Sequence, residues 1–129
     1  MPELSRRARG VPVWAVLRCR GSDGVAALIE GLADAARDLA HGLGAMPRLE
    51  VLNDVVFTQV CVALPTDGET RALADALRSD GVAFASTSRW RDREVLRFSV
   101  SNAGTDAEAV RVTLAAVEAA LPAASVPAP

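Results

Sequence analysis

The sequence predicts an α+β domain, in which an antiparallel sheet of about four strands carries helices on one face and a helix precedes it at the amino terminus. The first observation behind this prediction is the length of 129 residues, which suits one hydrophobic core and is too short for two. The second is that apolar residues recur at helical spacing in some stretches and alternate in others. The third is the order of these patterns: helix, helix, strand, strand, helix, strand, strand, helix.

Two helices are predicted in the first third of the chain. Apolar residues fill positions 11–17, and Pro12 suits a first helical turn, where its missing N–H group would be unpaired anyway. Gly21 ends this helix, and the next one runs from Asp23 to about Leu43. The charged residues of the second helix lie largely away from its apolar face, as in an amphipathic helix. That face holds Leu28, Ile29, Leu32, Ala36, Leu39 and Leu43.

The middle of the chain is predicted to form two strands and a helix. Residues 49–52 are a short strand, and residues 57–64 alternate as a strand with two different faces does. Thr66 and Glu69 have the spacing of a capping box, in which two side chains satisfy free N–H groups at a helix start. A helix is therefore expected to follow, to about Ser79.

The last third is predicted to form a hairpin and a helix. Residues 82–87 and 94–101 are the two strands, joined by the polar link Ser88–Arg93. A second capping box, from Thr105 to Glu108, opens the final helix, which ends near Leu121. The tail from residue 122 to residue 129 is rich in proline and alanine and is expected to be disordered.

Composition and charge exclude several classes of protein. The net charge is −2 at pH 7, whereas nucleic-acid binders usually carry a clear basic excess. No apolar run approaches the roughly 20 residues that a membrane-spanning helix needs, and no signal peptide is evident. We therefore expect a cytoplasmic protein with neither a nucleic-acid nor a membrane partner.

The residues that usually carry catalysis are scarce. His41 is the only histidine and lies late in the second helix, where it is expected to interact with the helix dipole. Cys19 and Cys61 are far apart and lack ligand-like neighbours, so a buried reduced thiol is expected for each. Without a second histidine or a cysteine pair, no transition-metal site is predicted. The chain contains no lysine at all.

Arginine is the more informative residue type. In the last predicted strand Leu96, Phe98 and Val100 alternate with Arg97, so this arginine is expected on the sheet face opposite the helices. A guanidinium held on a strand and flanked by hydroxyls suits a carboxylate, which it binds through two parallel hydrogen bonds. From the residues alone, an ordinary solvated arginine is the simpler interpretation.

Two further features concern the surface. Arg89, Arg91 and Arg93 are expected to charge the hairpin tip against edge pairing, with anion binding as the alternative. The apolar stretch around Trp14 has no evident core to join and is expected to be an exposed contact surface. It is an independent sign of a missing partner.

Five segments carry a resemblance to a known family. They are Pro2–Trp14 (PELSRRARGVPVW), Val51–Val60 (VLNDVVFTQV), Thr87–Arg93 (TSRWRDR), Leu96–Asn102 (LRFSVSN) and Thr105–Leu121. Their order and spacing resemble the end of the group II pyridoxal-phosphate-dependent amino-acid decarboxylases, in the aspartate aminotransferase superfamily. That group contains glutamate, diaminobutyrate and aromatic amino-acid decarboxylases.

The resemblance implies the carboxy-terminal small domain of a fold-type I enzyme, here residues 22–121. Residues 1–21 would be a helical segment joining the large domain, and residues 122–129 a disordered tail. In that family the large domain carries the lysine that binds pyridoxal phosphate, the histidine that stacks on the cofactor and the aspartate that pairs with its ring nitrogen. All three are expected before Met1. The intact enzyme is expected to be a homodimer, and this chain to bind no cofactor covalently.

The resemblance also implies a role for one residue of this chain. By its position in the segment LRFSVSN, Arg97 is similar to the arginine that grips the substrate α-carboxylate in glutamate decarboxylases. No residue of this chain is expected to be catalytic. Arg6 resembles an arginine at the start of the helix leading into the domain, without a defined role. Ala103-Gly104 departs from the family, in which a bulkier residue often follows the asparagine.

Three interpretations follow, in order of preference. The first is a decarboxylase fragment from a truncated or split reading frame, inactive alone because pyridoxal chemistry needs a lysine amine. The second is a stand-alone ferredoxin-like module that binds an amino acid through Arg97. The third is a subunit whose Trp14 surface docks onto a separately encoded catalytic chain. None of them identifies the substrate, because side-chain selectivity would lie mostly in the large domain.

Overall fold

The computed structural model describes Ala8 and residues 10–122, over which it shows three helices and four strands. The predicted class is confirmed: an antiparallel four-stranded sheet, helices on one face and a helix at the amino terminus. The chain divides into two compact units, one ending at Glu30 and the other beginning at Gly31. None of the described helices is long and apolar enough to cross a lipid bilayer.

Helix α1 runs over Gly10–Gly44 and is interrupted at Gly21. Gly21 has φ 65° and ψ −176°, a conformation that essentially only glycine adopts, because a Cβ atom clashes there. The predicted break between two helices is therefore present as a kink. Leu39 and Leu43 are buried as predicted, but the prediction for Ile29 is wrong. Ile29 is exposed because it precedes the unit that contains the core.

The sheet contains β1 (Glu50–Val51), β2 (Gln59–Ala63), β3 (Ser86–Trp90) and β4 (Arg93–Ser99). Their order across the sheet is β1-β2-β4-β3, and all neighbouring strands are antiparallel. It follows that β2 and β3 run parallel to each other, with β4 between them. The first residues of β2 and β3 therefore lie at the same end of the sheet.

Helix α2 (Asp67–Asp80) connects β2 to β3. Thr66 caps it as predicted, since its hydroxyl accepts a hydrogen bond from the Glu69 N–H at 3.2 Å. Gly81 ends the helix in the left-handed conformation with φ 73°, which favours glycine.

Helix α3 (Ala107–Ala120) follows β4, and its predicted cap at Thr105 is wrong. Asp106 caps the helix instead, its carboxylate accepting a hydrogen bond from the Ala109 N–H at 2.9 Å. Thr105 belongs to the preceding turn, because its N–H donates to the Asn102 carbonyl at 2.9 Å.

The hydrophobic core lies between the helices and one face of the sheet, here called the inner face. Val60 and Val62 of β2 and Leu96 and Phe98 of β4 are buried on this face. They pack with buried side chains of all three helices, including Leu39, Leu43, Leu73, Leu77, Val110 and Val117.

The β3–β4 hairpin is tighter than the sequence predicts. The predicted link Ser88–Arg93 is wrong, because residues 88–90 extend β3 and only Arg91 and Asp92 form the turn. Both turn residues have positive φ, 50° and 62°, as in a two-residue type I′ turn. Such turns usually contain Asn or Gly. Neither residue is present in this turn, so the sequence does not indicate it. β3 also begins at Ser86 rather than at residue 82.

Two predictions concern residues at the ends of the chain. In the predicted tail, Pro122 is described, and its carbonyl accepts a hydrogen bond from the Arg48 guanidinium at 3.2 Å. Residues 123–129 lie outside the described residues, as does Arg6.

Candidate functional site

The face of the sheet opposite the core, here called the outer face, carries most of the polar strand side chains. The register places on it Gln59, Cys61 and Ala63 of β2, Arg93, Val95, Arg97 and Ser99 of β4, and Ser86, Ser88 and Trp90 of β3. The helices of this unit contribute their buried side chains to the inner face. The outer face is therefore the natural place to look for ligand-binding groups.

Arg97 lies on the outer face of β4, as predicted. Its register partners are Cys61 on β2 and Ser86 on β3, so β4 is held by hydrogen bonds along both edges. The adjacent residues Leu96 and Phe98 are buried on the inner face, which anchors the backbone that carries the guanidinium. The Arg97 side chain itself is exposed.

Arg97 differs from the other arginines of its unit in having no charge partner. Between Gly31 and Pro122, ion pairs with carboxylates are formed by Arg37, Arg48, Arg71, Arg78, Arg89, Arg93 and Arg111. Arg91 instead lies over the Trp90 ring, 4.8 Å from its centroid. Among the arginines described in this unit, Arg97 alone has neither kind of partner. Its guanidinium is open to an anion from outside the unit.

A groove of about 230 Å³ lies beside Arg97 on the outer face. Besides Arg97, the residues that line it are Asn53, Gln59, Cys61, Ser88, Arg89, Trp90 and Val95. No carboxylate lines this groove. Hydrogen-bonding groups around a cation without a nearby anion are suited to a carboxylate ligand.

Asn53 completes the edge of β2 beside this groove. Its side-chain oxygen accepts a hydrogen bond from the Cys61 N–H at 2.7 Å, and its amide group donates to the Gln59 carbonyl at 3.0 Å. The side chain thus takes the place of a neighbouring strand's peptide group, just beyond the end of β1. The sequence suggests only a turn at Asn53-Asp54, since a pairing across several residues leaves no local pattern.

Arg93 crosses the outer face from β4 to β1. Its guanidinium reaches the Glu50 carboxylate at 3.0 Å and the Leu64 carbonyl at 3.4 Å. This path leads over β2, the strand between β4 and β1, where Ala63 is buried although it points to the outer face. The ion pair therefore connects two strands that are not adjacent in the sheet.

The Cys61 thiol lies half-buried beside Arg97. Burial raises the pKa of this thiol above its ordinary value, and the positive charge of Arg97 lowers it by a smaller amount. The thiol is therefore protonated at neutral pH. It places no negative charge beside Arg97 that would compete with an external carboxylate.

The other candidate residues are dispersed over the molecule. His41 is exposed in the last turn of α1. Cys19 is also exposed, so the prediction of a buried thiol is wrong there, because no described side chain before Gly31 is fully buried. In the part of the chain that the structure describes, no three His, Cys, Asp or Glu residues cluster as metal ligands do.

The hairpin arginines have local partners. Arg89 lies 3.7 Å from the carboxylate of Asp67, the first residue of α2, and 3.8 Å from the carboxylate of Glu94 on β4. Arg93 pairs with Glu50, and Arg91 stacks on Trp90. These contacts favour a structural role for the three side chains over anion binding.

The unit that ends at Glu30 has the exposed apolar surface expected around Trp14. Trp14 is 63% exposed and Val13 is 60% exposed. Side chains from both sides of the Gly21 kink line an apolar groove of about 290 Å³: Pro12, Val13, Val16, Leu17, Val25 and Leu28. A surface of this kind usually marks a contact with another protein segment.

Comparison with known proteins places the chain among decarboxylases. It is 33% identical over 105 residues to tyrosine decarboxylase 2 of Arabidopsis thaliana, covering 75% of this chain and 19% of that protein. It is 30% identical over 98 residues to the aromatic-L-amino-acid decarboxylase of Mus musculus, covering 75% of this chain and 20% of that protein. The chain thus spans about a fifth of the curated relatives that it matches. No protein-family model matches it.

Solved structures show the same fold. The chain superposes on Oryza sativa TDC with PLP with a TM-score of 0.81 and 24% identity, over 94% of this chain and 28% of that one. It superposes on mouse CSAD with a TM-score of 0.81 and 14% identity, over 94% of this chain and 29% of that one. Sequence relatives and fold agree: the chain belongs, over part of the family's length, to the group II pyridoxal-phosphate-dependent amino-acid decarboxylases.

Proposed function

We propose that this chain is the carboxy-terminal small domain of an amino-acid decarboxylase and that Arg97 binds the α-carboxylate of the substrate. The observation that carries the proposal is the environment of the Arg97 side chain. Its exposed guanidinium stands on a strand paired along both edges and has no carboxylate or aromatic partner among the described residues of its unit. Membership of the family supplies the reaction class.

The residues of this chain do not fit the covalent binding of pyridoxal phosphate. The cofactor's aldehyde is held in such enzymes by a lysine amine, and the chain has no lysine. The lysine must therefore come from another part of the enzyme. We expect no internal-aldimine absorbance when the isolated chain is mixed with pyridoxal phosphate, and no turnover of any amino acid.

The part of this chain in the reaction is to hold and orient the substrate. Two parallel N–H groups of Arg97 would donate to the two oxygens of the α-carboxylate, which fixes both its position and its plane. The neutral Cys61 thiol and the hydroxyl and amide groups of the groove leave that interaction without a competing anion. Binding of this kind would orient the substrate bond that is broken in the reaction.

The proposal includes an assignment of segments and partners. Residues 22–121 form the small domain, and residues 1–21 join the large, lysine-bearing domain. The intact enzyme is a cytoplasmic homodimer. The exposed apolar groove around Trp14 supports the presence of a large partner domain, because such a groove would be covered in the complete enzyme.

The role of Arg97 is tested in a chimera in which this chain replaces the matched region of the Arabidopsis tyrosine decarboxylase. Arg97→Gln is expected to lower kcat/KM for tyrosine by about 100-fold or more, because a charged, two-bonded contact is lost. Arg91→Gln is the matched control, since Arg91 is an exposed arginine on the same hairpin, and its kcat/KM should change by less than about twofold.

An Arg97→Gln chimera with unchanged kcat/KM would refute this role. A second readout guards against a trivial loss of folding: binding of a substrate analogue without a carboxylate, such as tyramine. Its affinity should be the same in the Arg97→Gln and parent chimeras.

A docking subunit remains the second candidate, favoured by the exposed surface around Trp14. It predicts that a separate lysine-bearing polypeptide copurifies with this chain and that Trp14→Ser reduces the yield of the pair. Copurification of wild type and Trp14→Ser in equal yield would argue against this surface as the contact.

A further inference from the structure

Asn53 lines the groove beside Arg97 and bonds to the backbone of β2 at two points. Besides its bonds with Cys61 and Gln59, its amide group donates to the Asp54 carbonyl at 3.0 Å. A carboxamide has two N–H groups, so both are used within the chain and neither is left for a ligand. A carboxylate needs donors, and Asn53 is therefore not a direct contact for it.

The backbone of Cys61 is held from the β1 side of β2. Its N–H group donates to Asn53, and its carbonyl accepts a hydrogen bond from the Leu52 N–H at 2.8 Å. Both groups therefore point away from β4. It follows that Cys61 and Arg97 form a non-hydrogen-bonded pair, the kind in which the side chains of antiparallel strands stand closest together.

The backbone of Arg97 is held from the opposite side. Its register partner on β3 is Ser86, whose hydroxyl donates to the Arg97 carbonyl at 3.4 Å. No main-chain hydrogen bond joins the members of a non-hydrogen-bonded pair, so the place of Cys61 next to Arg97 depends on how β2 is held at this point. β1 ends at Val51 and does not extend this far, which leaves the task to Leu52 and Asn53.

We infer that Asn53 is a positioning residue for the carboxylate site. By holding Cys61 and Gln59, it fixes the β2 side of the groove in which Arg97 presents its guanidinium. The inference rests on the proposed function of Arg97 and adds a residue that acts on the ligand through Arg97. Binding groups have to be held to within about 0.5 Å, and hydrogen bonds behind them provide this precision.

The type of residue at position 53 matters for this role. A carboxamide offers an acceptor to the Cys61 N–H and a donor to the Gln59 carbonyl, as a peptide group of a neighbouring strand would. Alanine offers neither. Aspartate would keep the acceptor, lose the donor and add a carboxylate to a groove that is lined by none.

The test uses the chimera described for Arg97. Asn53→Ala is expected to lower kcat/KM for tyrosine about tenfold, because the guanidinium is held less firmly. The affinity for tyramine, which has no carboxylate, should stay within about twofold of the parent value. Asn53→Asp keeps the bond to Cys61 and covers the case in which the alanine variant does not fold. It should lower kcat/KM at least as much, since its carboxylate would compete for Arg97.

Asn102→Ala is the matched control. The Asn102 side chain also accepts a hydrogen bond from a backbone N–H, that of Gly104 at 2.9 Å, but Asn102 does not line the groove. Its removal costs a bond of the same kind, and kcat/KM for tyrosine should change by less than about twofold.

A double variant separates this inference from the proposed function. In the Arg97→Gln chimera, Asn53→Ala should lower kcat/KM by less than about twofold, because its effect passes through Arg97. Unchanged kcat/KM in Arg97→Gln alone would refute the proposed function and this inference with it. If Arg97→Gln shows its expected loss, any of three results overturns the inference alone: parental kcat/KM in the Asn53 variants, the same fold-loss with and without Arg97, or a tyramine affinity that falls together with kcat/KM for tyrosine.

Discussion

Cys61 and Arg97 face each other across β2 and β4, as directly paired residues on the outer face of the sheet. Because of this pairing, the positive charge of Arg97 acts on the pKa of the Cys61 thiol. Burial raises the pKa of Cys61, and the guanidinium partly offsets this effect by favouring the thiolate. The thiol therefore reports on the electrostatics of the candidate site.

Removal of the Arg97 charge is expected to raise the pKa of Cys61 further. In a Cys19→Ser background, the rate of Cys61 alkylation by iodoacetamide would be measured against pH for the parent and for Arg97→Gln. The profile of Arg97→Gln should move to higher pH. Identical profiles would show that the guanidinium does not act on the thiol.

The same shift has a consequence for stability. A thiol whose pKa is raised in the folded state contributes stability fully below its unfolded pKa, and loses it as pH rises through the folded pKa. Unfolding by urea should therefore become easier above about pH 8.5, the usual thiol value. The loss should be absent in Cys61→Ala.

The buried Glu69 carboxylate is expected to be important for stability. Glu69 is 7% exposed, forms an ion pair with Arg48 and accepts a hydrogen bond from the Thr66 hydroxyl at 3.0 Å. Glu69→Ala leaves Arg48 without this partner and should lower the free energy of unfolding by about 3 kcal/mol. Asp75→Ala, which breaks an exposed pair with Arg78, should cost less than about 1 kcal/mol. Equal losses in urea denaturation would contradict the importance of burial.

The kink in α1 is expected to depend on Gly21 alone. Its conformation is strained for any residue with a Cβ atom, so Gly21→Ala should favour a straight helix. Spin labels at positions 14 and 29 would then lie about 22 Å apart, from 15 residues of helical rise. The wild-type distance should be shorter, because side chains from both sides of the kink line one groove. Equal label distances in the two proteins would show that Gly21 does not set the angle.

The turn of the hairpin can be improved. Arg91 and Asp92 hold positive φ angles that asparagine and glycine adopt at lower cost. Replacement of the pair by Asn-Gly should raise the free energy of unfolding by about 1 kcal/mol, even after loss of the Arg91–Trp90 contact. Thermal denaturation measures this, with Arg78→Asn in α2 as an exposed control that should not stabilise. A less stable Asn-Gly variant would show that the native turn chemistry matters more than its backbone.

Local signals explain which elements were predictable. The Thr66 cap, the Gly21 break and the alternation around Arg97 each depend on residues next to one another in the chain, and each was found at its predicted place. The Asp106 cap and the Arg91-Asp92 turn were missed, because adjacent residues offer competing caps and the turn contains neither Asn nor Gly. The family was readable because five segments keep their order and spacing.

By itself the sequence determined the class of fold, the absence of lysine and the side of the strand on which Arg97 stands, since all three follow from residue type and local period. Tertiary structure alone decided the long-range arginine pairs, because an ion pair such as Arg93 with Glu50 joins residues distant in sequence. It also decided that Asn53 closes the edge of β2 and that Cys61 faces Arg97, because strand order, and not chain order, sets which residues become neighbours.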